Sequence, residues 1–295
     1  MKPSFFIIGA PKCGTTSLYR YLTLHPNIIM SKPKEPHYFS DDINNGRISE
    51  LERYLNCFNH ADKTEKIKAI GEASTLYLYS KIAIKNILSF NKNAKFIVML
   101  RNPIDIVYTY HQVAMKVFGE TQSNFVNAWH LQDKRMHGYK VPAACPDKKL
   151  LAYGEIAKLG KQVKKLLSLV DRKKIFFLLF DDFIDSTEKE HMSILRFLNV
   201  NPIALKTYEK YNRTNLLRSP YLTVLTNRLV GIKNKMGFST SLGIAEKIHK
   251  LNIGENSFSA IDKALISDLG QFFEQDLDLL SSLIKKNLSD WRYNK

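Results

Sequence analysis

The stretch FFIIGAPKCGTTSLYRYLTL, residues 5–24, decides the fold of this chain. Its first four residues are an apolar run that predicts a buried strand, and the next eight are punctuated by glycine and proline as in a turn. From Thr16 onward, apolar residues recur at helical spacing. A strand, a glycine loop and a helix point backbone N–H groups and a helix N-terminus at one spot, which favours a phosphate. The stretch therefore predicts an anion cradle, and Lys12 adds a positive charge to it.

The loop nearly matches the nucleoside-triphosphate pattern G-x-x-x-x-G-K-[ST]. Gly9 and Gly14 fit this pattern, but Thr15 stands where it requires lysine, and the lysine lies inside the loop at position 12. A standard ATPase or GTPase is therefore disfavoured. The hydroxyl groups of Thr15 and Thr16 add donors for an anion. For the loop alone, the structural alternative is an ordinary strand–turn–helix with a chance lysine.

The charge of the chain favours an anionic partner. Its 295 residues include 44 Lys+Arg and 28 Asp+Glu, which gives a formal net charge of +16. Such a balance suits a nucleotide, an acidic glycan or an anionic membrane surface, and a solvated lysine-rich surface accounts for part of it. No long basic block or nucleic-acid motif is present, so a nucleic-acid partner is not predicted.

Cysteine usage and apolar runs bear on the location of the protein. Three scattered cysteines, Cys13, Cys57 and Cys145, are too few for a disulfide framework or a zinc site, and no metal is predicted. The apolar runs are too short to span a bilayer, and the phosphate loop begins too early for a signal peptide. These features predict a cytoplasmic protein. Contact with a membrane surface and the oligomeric state stay open.

Strands and helices alternate along the chain. Strands are predicted at residues 5–8, 66–72, 96–100 and 175–180, and helices at 16–24, 47–58, 81–88, 103–117, 124–134, 153–169, 187–198 and 258–288. This alternation predicts a single α/β domain over residues 1–295, with a central parallel sheet flanked by helices. Residues 200–256 are the least periodic part and are predicted as an irregular region of loops and short helices over the sheet.

Polar residues follow the predicted strands at the carboxyl edge, where parallel sheets bind ligands. Arg101 follows the third strand, and its guanidinium can hold a phosphate through two parallel hydrogen bonds. Thr109 offers a hydroxyl two helical turns later, Glu72 ends the second strand, and Asp181 and Asp182 end the fourth. Two anion sites, the glycine loop and the Arg101–Thr109 pair, call for a ligand with phosphates at two ends. The alternative for Arg101 is a structural salt bridge.

Together, these motifs resemble those of the sulfotransferases that use 3′-phosphoadenosine 5′-phosphosulfate (PAPS), particularly the carbohydrate and heparan-type branch and its bacterial relatives. Residues 10–18 resemble the 5′-phosphosulfate loop of that family, and Arg101, Pro103 and Thr109 resemble its 3′-phosphate motif, with threonine in place of serine. The resemblance implies the P-loop-containing sulfotransferase fold, with PAPS as the donor and 3′-phosphoadenosine 5′-phosphate (PAP) as the product. It implies that the donor is bound by Pro11, Lys12, Cys13, Gly14, Thr15, Thr16, Ser17, Arg101 and Thr109.

The segment KEPHYF, residues 34–39, resembles the loop of the same family that carries the acceptor-activating glutamate. Glu35 is the predicted general base, and His37 is the second candidate for the base or for an acceptor contact. A structural hydrogen bond to the loop is the alternative for His37. Lys12 is expected to stabilise negative charge on the leaving phosphate oxygen. Apolar surroundings favour a raised pKa for Glu35, and the charge of Lys34 opposes it.

Two positions depart from the heparan-type pattern. Ala73 follows Glu72 where a lysine is common, and Ser40 ends the glutamate segment where an aspartate is common. Glu72 is expected to orient Lys12 or the acceptor, or to be merely structural. The sequence predicts a PAPS-dependent sulfotransferase that acts on a hydroxyl of a sugar, polysaccharide or glycolipid. The alternatives are a P-loop kinase or NTPase, and an inactive nucleotide- or glycan-binding module of the same fold.

Overall fold

A single parallel sheet organises the protein. The structure, a computed structural model, describes residues 2–59, 66–209 and 263–292. The strands are β1 (Phe5–Gly9), β2 (Ile28–Met30), β3 (Ala69–Ala73), β4 (Lys95–Leu100) and β5 (Ile175–Leu179). They pair in the order β2-β3-β1-β4-β5, and every pairing is parallel. The predicted α/β class with a central parallel sheet is confirmed.

Helices surround this sheet. Among the described residues they are α1 (Thr15–Thr23), α2 (Leu51–Asn56), α3 (Ala83–Phe90), α4 (Pro103–Val117), α5 (Phe125–Met136), α6 (Tyr153–Ala157), α7 (Leu159–Leu167), α8 (Phe180–Asp185), α9 (Thr187–Phe197) and α10 (Lys263–Ile284). Because helices cover both faces of a parallel sheet, its strands are continuous apolar runs without alternation. All of β1 is buried, as is β4 apart from its first residue.

The central position of β1 determines where a ligand can bind. This strand pairs with β3 on one side and with β4 on the other. The chain fills the β3 side first and then crosses to the β4 side, so the strand order reverses at β1. Ligands of open α/β sheets bind at such a reversal, beyond the carboxyl ends of the strands. The glycine loop that follows β1 lies at this place.

The sequence did not predict β2 as a strand. Three apolar residues are too few for a strand pattern on their own. They form a strand because they pair with β3 at the edge of the sheet, where Ile29 lies opposite Ile70. The four predicted strands are therefore five, and the fifth depends on a partner about 40 residues further along the chain.

The helix predicted over residues 153–169 is two helices, α6 and α7, separated at Lys158. The Asp276 carboxylate accepts hydrogen bonds from the backbone N–H groups of Gly160 and Lys161, each at 2.8 Å. A carboxylate that accepts from free N–H groups stabilises a helix N-terminus, so a new helix begins here. The break was not predicted because Asp276 lies in α10, far along the chain.

Asp181 and Asp182 were predicted at the end of the fourth strand, but β5 ends at Leu179 and both residues lie in the first turn of α8. Asp181 accepts a hydrogen bond from Trp291 Nε1 at 3.1 Å, and Asp182 pairs with Lys286. Acidic residues are favourable in a first helical turn. These two carboxylates hold the last described segment of the chain against α8.

The predicted irregular region, residues 200–256, lies mostly outside the described residues. Residues 201–209 contain no helix or strand, and residues 210–262 are not described. The organisation of residues 1–295 as a single domain stays a prediction.

Candidate active site

Two glycines shape the loop between β1 and α1. Gly14 is the N-cap of α1 with φ +80°, and a Cβ at this position would lie 3.0 Å from the ring of Phe180. Gly9 has φ +155°, and a Cβ there would lie 3.0 Å from Leu78 Cβ and from the carbonyl oxygen of Thr75. Both positions therefore favour glycine, for conformation as well as for space. We call residues 10–17 the donor loop.

One cavity of about 400 Å³ opens at the carboxyl edge of the sheet. Its volume lies in the range of small-ligand pockets. Lys12 from the donor loop, Glu35 from the segment after β2 and Arg101 after β4 all line it. The structure thus brings three charged residues from distant parts of the sequence to one cavity, together with the predicted lining residues Pro11, Gly14, Thr15, Thr16 and Ser17.

Lys12 lies in a cationic environment. Burial lowers the pKa of its ammonium group, and the nearby charges of Arg101 and Lys116 lower it further. Like charges held together in a partly buried site repel each other, and an anion between them relieves this repulsion. The electrostatics of the donor loop therefore favour a negatively charged ligand.

Arg101 combines a structural role with a place in the cavity wall. Its Nε donates to Asp105 Oδ2 at 3.1 Å, and its Nη2 lies 3.0 Å from the same oxygen. Its Nη1 donates to the backbone oxygen of Lys12 at 3.1 Å, and the guanidinium lies over the ring of Phe180. These contacts within the described chain involve three of the five N–H groups of a guanidinium. The salt bridge considered for Arg101 is present, and two N–H groups remain for a ligand.

Thr109 and Cys13 are not brought to the cavity. The Thr109 hydroxyl donates to the carbonyl oxygen of Asp105, one helical turn earlier, at 2.6 Å. The Cys13 thiol contacts the carbonyl oxygen of Pro11 at 3.5 Å, and burial raises its pKa to about 12. Neither residue lines the cavity. Both are buried, and their predicted contacts with a donor stay predictions.

Glu35 is held as a carboxylate by its neighbours. Lys34 Nζ lies 2.5 Å from Oε1, while His37 Nε2 lies 3.1 Å and Thr75 Oγ1 3.4 Å from Oε2. Burial raises the pKa of Glu35, but the hydrogen bond from His37 and the charge of Lys34 outweigh it and lower the pKa to about 2. The side chain is 37% exposed. At neutral pH, Glu35 therefore presents an ionised, accessible carboxylate to the cavity.

His37 lies behind Glu35 and does not line the cavity. It is buried, and its Nε2 donates to the Glu35 carboxylate, which can only accept. Its Nδ1 has no hydrogen-bond partner among the residues that the structure describes. Of the two candidate bases, Glu35 alone is placed in the cavity wall, and His37 supports it from the protein interior.

Glu72 supports the segment that carries Glu35. It is fully buried, and it accepts hydrogen bonds from Tyr54 Oη at 2.5 Å and Ser74 Oγ at 2.6 Å. Burial raises the pKa of Glu72, and these two hydrogen bonds oppose the rise. Ser74 Oγ in turn accepts from the backbone N–H of His37 at 3.0 Å. Glu72 does not line the cavity. Of the roles considered for it, these contacts favour the structural one.

The sequence did not predict the rest of the cavity wall. Thr75 and Leu76 follow β3, so the strand-end rule could have found them. The lining residues from α1, α4, α8 and α9 could not be found in this way, because their sequence shows only helical periodicity. The additional lining residues are Tyr21, Thr75, Leu76, Tyr110, Val113, Phe118, Phe180, Phe183, Ile184 and Thr187.

Metal ligation has no structural support in the described part of the chain. Over residues 2–59, 66–209 and 263–292, no group of three or more His, Cys, Asp or Glu side chains is placed to hold a metal ion. The prediction that no metal is needed stays a prediction.

Two known proteins similar to this chain are named as sulfotransferases. It is 26% identical to human carbohydrate sulfotransferase 15 over 251 residues, which cover 69% of this chain and 45% of that protein. It is 37% identical to the membrane-associated sulfotransferase kil1 of Dictyostelium discoideum over 103 residues, 35% of this chain and 21% of that protein. The chain thus spans less than half the length of these curated relatives.

The prediction of a cytoplasmic location is contradicted by these relatives, one of which is named as membrane-associated. The number of cysteines and the length of apolar runs are properties of a folded domain, and they do not report the compartment in which that domain acts. Within the described ranges, no helix is both long and apolar enough to cross a membrane.

The fold and the family agree. A solved sulfotransferase from Alicyclobacillus acidocaldarius superimposes with a TM-score of 0.70 at 24% sequence identity, covering 99% of each chain, which shows the same fold. The family model for the sulfotransferase domain matches residues 2–251, most of the sequence. With the glycine loop, Arg101 and Glu35 at one cavity, this match shows that the chain belongs to the sulfotransferase family.

Proposed function

We propose that this protein transfers a sulfuryl group from PAPS to a hydroxyl of a carbohydrate acceptor. The observation that carries the proposal is that Lys12, Arg101 and Glu35, from three separate parts of the sequence, line one cavity of about 400 Å³. Two cations suit a ligand that is anionic at both ends, and an ionised carboxylate suits the removal of a proton. Membership in the sulfotransferase family and the similarity to a carbohydrate sulfotransferase favour the same reaction.

The donor loop and Arg101 bind the donor in this proposal. Lys12, the backbone N–H groups of the loop and the hydroxyls of Thr15, Thr16 and Ser17 contact the 5′-phosphosulfate. The two remaining N–H groups of Arg101 contact the 3′-phosphate. As sulfuryl transfer proceeds, negative charge grows on the oxygen that leaves with PAP, and Lys12 stabilises it. Placed charges of this kind usually supply the largest single contribution to a rate enhancement.

Glu35 acts as the general base. The acceptor oxygen forms a bond to sulfur, the bond between sulfur and the phosphate oxygen breaks, and the hydroxyl proton passes to the Glu35 carboxylate. Because the pKa of Glu35 is about 2, it accepts this proton only as the new O–S bond forms and the hydroxyl becomes acidic. His37 orients the carboxylate from behind through its 3.1 Å contact with Oε2.

Transfer of radiolabelled sulfate tests the proposal. The purified protein is incubated with labelled PAPS and a set of neutral and acidic oligosaccharides, and sulfated product and PAP are measured together. We expect one PAP for each sulfate transferred, and measurable binding of PAP in calorimetry without acceptor.

The competing functions give different results in the same experiment. A P-loop kinase or NTPase would turn over ATP in the presence of magnesium and would not bind PAP. An inactive binding module of this fold would bind PAP but transfer no sulfate to any oligosaccharide. Either result contradicts the proposed function.

A further inference from the structure

The chain that follows β3 packs against the start of the donor loop. We call residues 74–80 the bridging segment. The backbone N–H of Leu78 donates to the carbonyl oxygen of Ile8 in β1 at 2.8 Å. Leu78 Cβ and the carbonyl oxygen of Thr75 lie where a side chain at Gly9 would be. Because Gly9 directly precedes the donor loop, the bridging segment borders that loop on one side.

On its other side, the bridging segment holds residues 34–39, the segment that carries Glu35. Ser74 Oγ and Tyr77 Oη accept hydrogen bonds from backbone N–H groups of residues 34–39 at 3.0 and 3.2 Å. The Thr75 hydroxyl lies 3.4 Å from the Glu35 carboxylate. The position of Glu35 relative to the donor loop therefore depends on the position of the bridging segment.

The far end of the bridging segment is held by Lys165, which lies in α7. Its Nζ donates to the carbonyl oxygen of Leu78 at 2.8 Å and to that of Tyr79 at 3.4 Å. It also donates to the carbonyl oxygen of Ser80. A lysine ammonium group has three N–H donors, so its donors match these three acceptors in number. Hydrogen bonds from a charged donor are stronger than those from a neutral one.

The helix that carries Lys165 is a firm support for these contacts. Val163 and Leu166, on either side of Lys165 in the sequence, are fully buried. The first N–H groups of α7 donate to the Asp276 carboxylate, which fixes the start of the helix against α10. Lys165 does not line the cavity. It can therefore act on the site only through the bridging segment.

Three charged groups influence the Lys165 ammonium. Burial lowers its pKa to about 8, the charges of Lys161 and Lys81 act in the same direction, and Asp42 opposes them. Asp42 also accepts hydrogen bonds from Ser80 Oγ at 2.5 Å and from the backbone N–H of Lys81 at 2.8 Å. The end of the bridging segment thus contacts a cation through its carbonyl groups and an anion through its donors.

We propose that Lys165 is a positioning residue for sulfuryl transfer. Its ammonium group holds the carbonyl groups of residues 78–80, and the bridging segment thereby keeps Glu35 in a fixed position relative to the donor loop. This inference rests on the proposed function and adds to it a residue on a helix outside the cavity wall.

Lys165→Met tests the inference, because it keeps a side chain of similar length and removes every donor. We expect kcat for sulfate transfer to fall about tenfold, since misplaced reacting groups slow the reaction. The Kd for PAP should stay within about twofold, because the donor loop is shaped by its own glycines. Lys161→Met is the matched control: it removes an exposed lysine of the same helix and should leave both constants unchanged.

Hydrogen exchange gives a readout that needs no acceptor. The backbone N–H groups of Leu78 and Ser80 donate within the protein, to Ile8 and Leu76 respectively. Lys165→Met should make these two amides exchange at least about tenfold faster, because local opening of the bridging segment becomes easier. The amides of β4 should exchange at the wild-type rate.

Lys165→Arg tests the role of the charge. As the pH rises through about 8, the ammonium loses a proton, keeps only two N–H donors, and kcat should fall. This fall is not unfolding: with the pKa lowered from 10.5 to about 8, the contribution of Lys165 to the free energy of unfolding rises over that range. A guanidinium keeps its proton and has five N–H groups, so Lys165→Arg should move the alkaline limb of kcat upward by at least about one pH unit.

Three results would overturn the inference. They are a kcat for Lys165→Met within twofold of the wild-type value, a parallel loss of PAP binding and kcat in that variant, and the same alkaline limb in the wild-type protein and Lys165→Arg. Failure of the wild-type protein to bind PAP would instead contradict the proposed function.

Discussion

The two loops that meet at the cavity are held in place in different ways. The donor loop directly joins β1 to α1, and its first residue, Ala10, donates a backbone hydrogen bond to Met99 in the neighbouring strand. The segment of residues 34–39, which we call the glutamate loop, is held by side chains that follow β3. Its His37 and Phe39 N–H groups donate to Ser74 Oγ and Tyr77 Oη.

The donor loop is therefore positioned by residues close to it in the sequence, and the glutamate loop by residues distant from it. The geometry of the donor loop follows from the strand, the glycines and the helix next to it. The geometry of the glutamate loop depends on residues more than 30 positions away, and on the buried Glu72 behind them. Substitutions should therefore affect donor binding and catalysis separately, depending on which loop they disturb.

The largest effect is expected from Glu35→Gln. This change removes the base without changing its size, so kcat should fall by about 10³-fold, within the usual range for general-base catalysis. The Kd for PAP, measured by calorimetry, should stay within about twofold of the wild-type value because the donor loop is untouched. Unchanged turnover in this variant would remove Glu35 from the role of base.

Lys12→Ala should affect both donor binding and rate. Loss of a charge aimed at the leaving oxygen is expected to lower kcat/KM for PAPS by about 10²-fold. Lys85→Ala, which removes an exposed lysine from α3, is the matched control and should leave both constants unchanged. If the two variants bind PAP equally well, Lys12 does not contact the donor.

Glu72→Gln tests the distant support of the glutamate loop. The Glu72 carboxylate accepts from Tyr54 through one oxygen and from Ser74 through the other. Glutamine has only one terminal oxygen, so one of these two hydroxyl groups loses its acceptor. We expect a loss of about 2 kcal/mol in the free energy of unfolding and a roughly tenfold lower kcat. The Kd for PAP should not change.

The control for this experiment is Glu50→Gln, which alters an exposed carboxylate and should be neutral. A parallel loss of PAP binding and kcat in Glu72→Gln would show a general structural defect rather than a defect of the glutamate loop.

The smallest expected effect is on the pH dependence of stability and activity. The pKa of Glu35 is depressed from 4.5 to about 2, so its ionisation stabilises the folded state above about pH 4.5, and this contribution is lost as the pH falls toward 2. Activity should therefore show no acid limb from Glu35 above about pH 4. Lys34→Met removes a neighbouring positive charge and should move the acid limb of kcat upward by about one pH unit.

Lys32→Met is the control for the pH experiment, because Lys32 is an exposed lysine two residues before the glutamate loop. It should leave the pH profile unchanged. A wild-type acid limb near pH 4.5 that Lys34→Met does not move would contradict the contacts described for Glu35.

Sequence information was sufficient where geometry is local. The glycine pattern around Lys12 and the strand before Arg101 predicted two residues that line the cavity. The edge strand β2 could not be predicted, because three apolar residues become a strand only through pairing with β3. Tyr110 and Val113 lie on a helix that was predicted, but helical periodicity does not show which of its residues line a ligand cavity.

Glu35 lies between these two cases, because its loop could be predicted from the sequence but its ionisation could not. Its segment resembles a known loop, but its pKa depends on the contacts that Lys34 and His37 make in three dimensions. Burial opposes these contacts, and only the structure shows that the hydrogen bond from His37 and the charge of Lys34 outweigh it.

The central claim is that Lys12 and Arg101 hold one ligand with phosphates at two ends in one cavity. Calorimetric titration of the wild-type protein with PAP and with adenosine 5′-phosphate tests this claim most directly. If the claim holds, PAP binds at least about tenfold more tightly, because only PAP carries the second phosphate, and Arg101→Ala removes this advantage. Equal affinity for the two nucleotides, or an advantage for PAP that survives Arg101→Ala, would contradict it.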